Sequence, residues 1–291
     1  MYERVLVPTD GSGPATAALE YAGAIGAAEG ATVHVLHVDD SGTHAETTAA
    51  ADGQAARETT VVADGRDWVE NAGASAVTAV RSGTPRDEIL AYAEEEDVDA
   101  IVVGTHGRHG AERLLFGSVA EGVVRDSGVP VIVLRGDQSV TATYPFETVV
   151  AATDGSVHAQ RAVGRAIAVA THHDASLLIL SVVDVTPVGL DESSDFRVTR
   201  LESQAERVVA EAADAAREAG VTDVETAVEF GSVHREILGF TADCGGDLVV
   251  VGTHGRSGVD RLLLGSVAER VLRTASTPVM TVRSVDESDA S

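Results

Sequence analysis

The sequence predicts an α/β protein with two tandem, doubly wound, Rossmann-like domains, each built on a five-stranded parallel sheet. Three observations predict this class. The chain has 291 residues, which is about two domains at roughly 150 residues each. Its second half repeats its first half. Within each half, short Val/Leu/Ile runs alternate with helical patterns, and this order produces βαβ units and a parallel sheet.

The repeat is clearest towards the end of each half. Val98–Arg135 aligns with Gly246–Arg283 without a gap, and 22 of the 38 positions are identical. The starts of the halves also match, because Val5–Ser12 (VLVPTDGS) corresponds to Val149–Ser156 (VVAATDGS). This repeat indicates an internal duplication, so each half is expected to fold as its own domain.

A polar, turn-rich segment, Gly136–Pro145, separates the two copies and has the composition of a linker. We therefore place the first domain at residues 1–138 and the second at residues 146–291. The strands of each sheet are expected in the order 3-2-1-4-5. In the first half the apolar runs predict strands near Arg4–Val7, Thr32–Val38, Ala76–Val80, Ala100–Val103 and Val131–Leu134.

Start signals predict the helices that connect these strands. Ser12 as N-cap and Pro14 in the first turn predict a helix after the first strand, and Ser156 begins its counterpart. Another helix begins at Thr84–Pro85.

Residues 39–74 are harder to assign, because Gly53, Gly65 and Gly73 interrupt the apolar pattern and Trp68 stands alone. We expect a helix there, since the counterpart in the second half, Thr199–Ala219, is amphipathic.

Composition excludes several classes of function. No apolar run approaches the roughly 18 residues of a membrane span, and the start of the chain lacks the pattern of a secretory signal, so we expect a cytoplasmic protein. The 46 acidic and 21 basic residues give a net charge of -25, which repels nucleic acid and anionic membranes. Because every basic residue is an arginine, the chain cannot form a Walker A loop, a kinase site or a Schiff base. Acid excess without lysine is typical of adaptation to a salty cytoplasm, and we expect a halophilic archaeal source.

A glycine pattern follows the fourth strand of each half. The spacing is Gly-x2-Gly-x9-Gly-Ser, and it occurs at Gly104–Ser118 and again at Gly252–Ser266. Each serine precedes a glutamate by three residues, which is the spacing of a capping box, so we expect a helix to begin there with the serine as N-cap. Unpaired amides and the positive end of the helix dipole would form an anion site that needs no lysine.

The strand order brings this pattern beside an acidic loop. In an open parallel sheet a ligand lies beyond the carboxyl ends of the strands where the winding reverses, here between strands one and four. Asp10 and Asp154 follow the first strand of each half, and Gly104 and Gly252 end the fourth. We expect both sets at one crevice per half. The alternative is that the serines only cap helices and the glycines only make turns.

On these residues, the chain resembles a universal stress protein of the tandem type over nearly all of both halves. Its glycine pattern resembles that of the family's ATP-binding branch. The resemblance implies the adenine-nucleotide alpha hydrolase-like form of the fold, with ATP and Mg2+ as ligands. It also implies that Asp10 and Asp154 contact the ribose or a metal-bridged phosphate, and that backbone groups at Val38 and Val182 hold the adenine.

The resemblance implies further positions in each half. Those expected at the ribose and phosphates are Gly104, Gly107, Gly117, Ser118 and Val119 in the first half and Gly252, Gly255, Gly265, Ser266 and Val267 in the second. Other positions expected at the sites are Pro8, Val103 and Val251. Pro8 becomes Ala152 in the second half, where the loop is expected to be less constrained.

Other polar residues leave alternatives open. Arg108 and Arg256 could reach a terminal phosphate or lie solvated at the surface. His106 and His254 could transfer a proton, although the sequence indicates no orienting partner for them. The pair His172–His173 falls near the end of a helix, where the dipole favours imidazolium, and metal binding is the alternative.

The hypothesis for the whole chain is an ATP-binding regulatory protein of the stress response. A slow ATPase is the enzymatic alternative, although no compelling base is evident, and an interaction scaffold with vestigial nucleotide sites is the other alternative. The resemblance implies an internal pseudo-dimer through the last strands, Val131–Leu134 and Val279–Val282. Such pairing would cover exposed strand edges. A homodimer of chains stays open.

Overall fold

The computed structural model of the protein describes residues 1–40, 48–105, 117–135, 143–185, 192–255 and 264–283. Internal contacts divide the chain into two compact units, Met1–Tyr144 and Pro145–Ser291. In chain order the first unit contains β1 (Arg4–Pro8), α1 (Gly13–Glu29), β2 (Thr32–Asp39), α2 (Thr48–Asn71), β3 (Ser75–Ser82), α3 (Pro85–Glu95), β4 (Ala100–Gly104), α4 (Ser118–Asp126) and β5 (Val131–Leu134).

The second unit repeats this order of elements. It contains β6 (Thr148–Ala152), α5 (Val157–His173), β7 (Ser176–Val183), α6 (Glu192–Glu218), β8 (Val224–Phe230), α7 (Val233–Asp243), β9 (Leu248–Gly252), α8 (Ser266–Thr274) and β10 (Val279–Val282).

Both units have the predicted sheet. In the first unit the strand order is β3-β2-β1-β4-β5, and neighbouring strands are parallel. In the second unit it is β8-β7-β6-β9-β10, again with parallel neighbours. The α/β class and the order 3-2-1-4-5 are therefore confirmed within each unit. The strand predicted near Ala76–Val80 is longer than expected, because its polar ends also pair with β2.

The inner strands explain the continuous apolar runs of the sequence. Val5, Leu6 and Val7 of β1 are fully buried, and so are Ile101 and Val102 of β4. A parallel sheet that is covered on both faces buries consecutive residues, so its strands are apolar without alternation. The outer strand β3 differs, with exposed and half-buried residues along its length.

Helices α1, α3 and α5 begin where the sequence predicts, whereas α6 begins at Glu192, seven residues before the predicted Thr199. Ser12 and Ser156 are N-caps whose hydroxyl oxygens accept the amide hydrogens of Ala15 and Ala159, at 3.4 and 3.2 Å. These bonds satisfy amides that a helix leaves unpaired in its first turn. No helix within the described part of the chain combines the length and the apolar character that a bilayer crossing requires.

The helix expected within residues 39–74 is present as α2, and two of the glycines in this segment have physical roles. A Cβ atom at Gly65 would lie 2.7 Å from Cγ1 of Val35, so the glycine lets α2 pack closely on β2. Gly73 ends the helix with a φ of +91°, and its amide donates to Glu70. Trp68 lies on the exposed side of α2 and is 44% exposed. Two of the three interruptions of the pattern are therefore a packing contact and a helix terminator.

A buried polar pair distinguishes the core of the first unit. His34 of β2 is 5% exposed, and its Nδ1 lies 2.9 Å from the hydroxyl of Tyr92 on α3. Burial lowers the pKa of His34 below its usual 6.5, Glu96 opposes this shift, and Arg4 reinforces it. The corresponding positions of the second unit are Leu178 and Phe240, as the strand register and the helix bounds show.

We predict that His34 makes the first unit less stable in acid. Because its pKa is lower in the folded state, the unfolded chain binds more protons below about pH 6.5, so the free energy of unfolding falls as the pH falls through that range. Urea unfolding between pH 5 and 8 measures this. The double variant H34L/Y92F reproduces the pair of the second unit and should lose this component. An equal decline in both proteins would assign the pH dependence to other groups.

Candidate functional site

In both units the strand order creates a topological switch point at the carboxyl ends of the strands. In the first unit the sheet order reverses between β1 and β4, and in the second between β6 and β9. Loops that leave neighbouring strands in opposite directions open a gap there, in which ligands of such sheets bind. Asp10 and Asp154 follow β1 and β6, whereas Gly104 and Gly252 end β4 and β9.

The acidic loop of the first unit is held by short local hydrogen bonds. The amide of Thr9 donates to the carbonyl of Leu36 at 2.8 Å, which extends the ladder beyond β1. The carboxylate Oδ1 of Asp10 then accepts the amide hydrogen of Ser12 at 3.0 Å. Gly11 between them has a φ of +75°, which glycine adopts without strain. The turn therefore holds the carboxylate at the crevice.

The second unit builds the same loop. The amide of Thr153 donates to Leu180 at 2.8 Å, Asp154 Oδ1 accepts the amide hydrogen of Ser156 at 2.9 Å, and Gly155 has a φ of +79°. Ala152 ends β6 where Pro8 ends β1, yet the hydrogen bonds are the same. The turn therefore has the same geometry without the proline, because the ladder and the aspartate hold it, and the expected loosening of this loop stays a prediction.

The glycines that end the fourth strands allow a close helix contact. A Cβ atom at Gly104 would lie 2.5 Å from the carbonyl oxygen of Pro14, in the first turn of α1. At Gly252 a Cβ atom would lie 2.9 Å from the carbonyl carbon of His158, in the first turn of α5. Any side chain at these positions would push the helix away from the strand. The glycines are therefore required for packing, whether or not a ligand binds.

Backbone hydrogen bonds place a helix N-terminus beside each fourth strand. The amide of Thr105, just after β4, donates to Leu134 at 2.9 Å, and its carbonyl accepts from the amide of Gly117 at 2.7 Å. In the second unit the amide of Thr253 donates to the carbonyl of Val282 at 3.2 Å, and the carbonyl of Thr253 accepts from the amide of Gly265 at 2.9 Å. The chain therefore returns to the strand end from which it left, and α4 and α8 begin there.

The predicted capping box is wrong in one detail. Helices begin at Ser118 and Ser266 as expected, but Gly117 and Gly265 are the N-caps, and neither helix has a side-chain cap hydrogen bond. The serines are one position too far into the helix to cap it, because the glycine amides are bonded back to the threonines. Both serines are exposed at the N-termini of their helices, where their hydroxyls can meet an anion.

The second unit brings its two loops into contact. A Cβ atom at Gly255 would lie 2.9 Å from the carboxylate Oδ2 of Asp154. The loop after β9 therefore runs directly beside the acidic loop after β6, as the strand order predicts. In the first unit the corresponding Gly107 lies outside the described residues, as do His106, Arg108 and Arg256.

The remaining predicted residues lie along the strand ends. Val103 and Val251 are buried next to the terminal glycines of β4 and β9, whereas Val38 of β2 and Val182 of β7 are half-buried near the ends of their strands. Val119 and Val267 follow the exposed serines in the first turns of α4 and α8. Pro8 is the last residue of β1.

Sequence reasoning missed the role of His37. Its Nδ1 lies 2.7 Å from the carbonyl oxygen of Thr9, which ties the end of β2 to the acidic loop. The second unit has Ser181 at this position of the register. His254, for which no orienting partner was evident, has its Nδ1 3.0 Å from the hydroxyl of Thr253. A hydroxyl orients the ring, but it does not stabilise an imidazolium as a carboxylate does.

Comparison with known proteins agrees with the repeated fold. A family model described as the universal stress protein family matches residues 1–135 and 145–283. The chain belongs to the universal stress protein family. A Staphylococcus haemolyticus protein named for this family is 35% identical over 140 residues, which are 47% of this chain and 85% of the relative. A Staphylococcus aureus relative (strain USA300) is 36% identical over 140 residues, 47% of this chain and 84% of its own length.

Solved structures of universal stress proteins also match. The universal stress protein of Archaeoglobus fulgidus DSM 4304 has a TM-score of 0.74 at 26% identity and covers 97% of this chain and 98% of its own. A functionally unknown protein of Pseudomonas aeruginosa PAO1 has a TM-score of 0.63 at 18% identity, covering 97% and 92%, and shows the fold alone. The two matched ranges of the family model show that the chain is a tandem universal stress protein.

We predict that Gly104→Ala destabilises the first universal stress protein unit. The new methyl group would overlap the backbone of Pro14, which is rigid, so the helix or the strand must shift, at a cost of about 1–3 kcal/mol. Gly128→Ala is the control, because nothing lies within 4 Å of its Cβ position, and it should change the free energy of unfolding by less than about 0.5 kcal/mol. Urea unfolding compares the two variants. Equal stabilities would contradict the close packing of β4 on α1.

Proposed function

We propose that each unit binds one ATP with Mg2+ in its crevice and that the protein acts as a nucleotide-dependent regulator in the stress response. One observation carries the proposal: in both units the same hydrogen bonds hold an aspartate loop and a helix N-terminus at the ends of the first and fourth strands. The regulatory role rests on the family to which the chain belongs.

The helix N-termini would hold the phosphates. The first-turn amides of α4 and α8 lack intrahelical acceptors and lie at the positive end of the helix dipole. Gly117 and Gly265 let an anion approach the backbone closely, and Ser118 and Ser266 add exposed hydroxyls. In α8 the first-turn carboxylate of Glu269 is paired with Arg273 at 2.6 Å, which offsets its repulsion of a phosphate.

The aspartates would bind the ribose or the metal. Each carboxylate keeps its orientation because the amide two residues later bonds Oδ1. A carboxylate accepts hydrogen bonds from ribose hydroxyls, and Mg2+ in nucleotide sites is commonly held by one or two carboxylates together with phosphate oxygens. Mg2+ also offsets the repulsion between the phosphates and a chain of charge -25.

The adenine would lie between the ends of the second and fourth strands. Val38 and Val182 present backbone groups near the carboxyl ends of β2 and β7, and the buried Val103 and Val251 lie directly before the glycines that end β4 and β9. Backbone hydrogen bonds suit a flat base, because they fix its edge. The internal pseudo-dimer and a homodimer stay predictions.

We predict that calorimetric titration of ATP with Mg2+ in molar KCl gives two sites per chain, because salt screens the long-range repulsion. Asp10→Ala and Asp154→Ala should each leave one site intact and weaken the other by about tenfold or more, as expected for the loss of a charged hydrogen-bond acceptor. Asp64→Ala removes an exposed aspartate of α2 and should keep both sites. The absence of ATP binding would overturn the proposal and favour the scaffold.

The same variants distinguish the alternative of a slow ATPase from a protein that only binds ATP. If ATP is hydrolysed in these crevices, phosphate release should fall in the double variant D10A/D154A in proportion to the loss of binding. Hydrolysis that persists unchanged in that variant would come from a contaminant. Titrations with ADP and AMP then define which phosphates contribute to binding.

A further inference from the structure

Two histidines of the second unit lie beside each other at the end of β9. His158 is the second residue of α5, and His254 follows β9 by two positions. Their ring centroids are 5.1 Å apart, with an angle of 41° between the ring planes. The contact joins the first turn of the helix to the loop after the fourth strand. It therefore lies at the crevice, but the proposed binding of ATP does not use it.

The ring of His254 is held by a rigid neighbour. Thr253 is 1% exposed, and its backbone is bonded on both sides, to Val282 and to Gly265. Its hydroxyl lies 3.0 Å from Nδ1 of His254. This hydrogen bond holds the orientation of the imidazole. When Nδ1 donates to the hydroxyl oxygen, the lone pair of Nε2 is left for a metal ion, the arrangement usual for histidines that bind metals through one nitrogen.

The other ring nitrogen of His254 has no hydrogen-bond partner among the described residues. Nε2 is buried from solvent, so water does not replace the missing partner. Most buried polar atoms in proteins are hydrogen-bonded, and an exception needs an explanation. A ligand that accepts an electron pair from Nε2 would satisfy this atom.

The distance between the rings suits a shared metal ion. Imidazole nitrogens bind Zn2+ at about 2.0–2.1 Å, so two rings in a tetrahedral arrangement have centroids about 5 Å apart. The carboxylate of Asp154 lies beside Gly255, the next residue after His254, and adds negative charge close by. Imidazole ligands favour Zn2+ and its neighbours over Mg2+, which prefers oxygen.

The first unit lacks this pair. Its residue at the position of His158 is Pro14, and both residues contact the glycine that ends the fourth strand, Gly104 or Gly252. The equivalence of these positions is thus seen in the packing as well as in the sequence. A proline offers no ligand atom, so the first unit cannot form the same site.

We propose that His158 and His254 bind one divalent transition-metal ion of the Zn2+ class, in the second unit only. Water or a phosphate oxygen fills the remaining coordination positions. The site does not require nucleotide, so it stands or falls separately from the proposed binding of ATP. If ATP does bind there, the two units would differ in their response to such metals.

The test is to titrate the full chain with Zn2+ in the absence of nucleotide and to measure binding by calorimetry. A second titration with Co2+ is monitored by visible absorption. Because His172 and His173 on the last turn of α5 also offer imidazoles, the measured quantity is the difference between variants. Wild-type protein should bind one more ion per chain than His158→Pro. That variant copies Pro14, and proline is compatible with the first turn of a helix. His254→Gln should lose the same ion.

His234→Ala is the matched control, since His234 also lies in the first turn of a helix of the second unit and contacts a hydroxyl, that of Ser232. It should bind as many ions as wild type. Equal numbers and affinities in wild type and His158→Pro would overturn the proposal, as would the absence of any Zn2+ binding by wild type. A metal site that persists while ATP fails to bind would support this inference and contradict the proposed function.

Discussion

The candidate sites depend on one backbone arrangement, the hydrogen bonds of Thr105 and Thr253 just beyond the fourth strands. Each threonine amide continues the ladder to the fifth strand, and each carbonyl accepts a hydrogen bond from the amide of the glycine that is the N-cap of the next helix. The helix N-terminus is therefore fixed to the sheet by main-chain groups, which do not depend on side-chain identity. The acidic loop of each unit is also fixed to a neighbouring strand by a main-chain hydrogen bond, from the amide of Thr9 to Leu36 and from the amide of Thr153 to Leu180. A crevice between the helix N-terminus and the acidic loop follows from the sheet topology.

Small residues serve this arrangement in two different ways. Gly104 and Gly252 are required because a helix packs directly onto the strand end, so their presence alone says nothing about a ligand. Gly117 and Gly265 are N-caps whose position leaves the following serines free of a capping role. Only the second pair therefore bears on the proposed binding of an anion. The glycine pattern therefore contains glycines needed for helix packing and glycines that are N-caps, and only the tertiary structure shows which is which.

Duplication kept this framework and changed the residues around it. The buried His34–Tyr92 pair of the first unit is replaced by Leu178 and Phe240 in the second, so only the first unit has an imidazole at this place in its core. Conversely, His158 of the second unit replaces a proline of the first and meets the histidine of the glycine loop. The two units therefore share a fold but differ in the imidazole side chains that it carries, because a side chain can change where the backbone is already held.

The sequence by itself determined the α/β class, the duplication, the strand order and the meeting of the aspartate and glycine loops. These follow from apolar runs, from a repeat and from the rule that parallel strands end at the same edge. Tertiary structure alone decided that glycines rather than serines cap α4 and α8, that Gly65 admits a close helix contact, and that His158 meets His254. Each depends on the packing of elements distant in the chain, which local spacing does not encode.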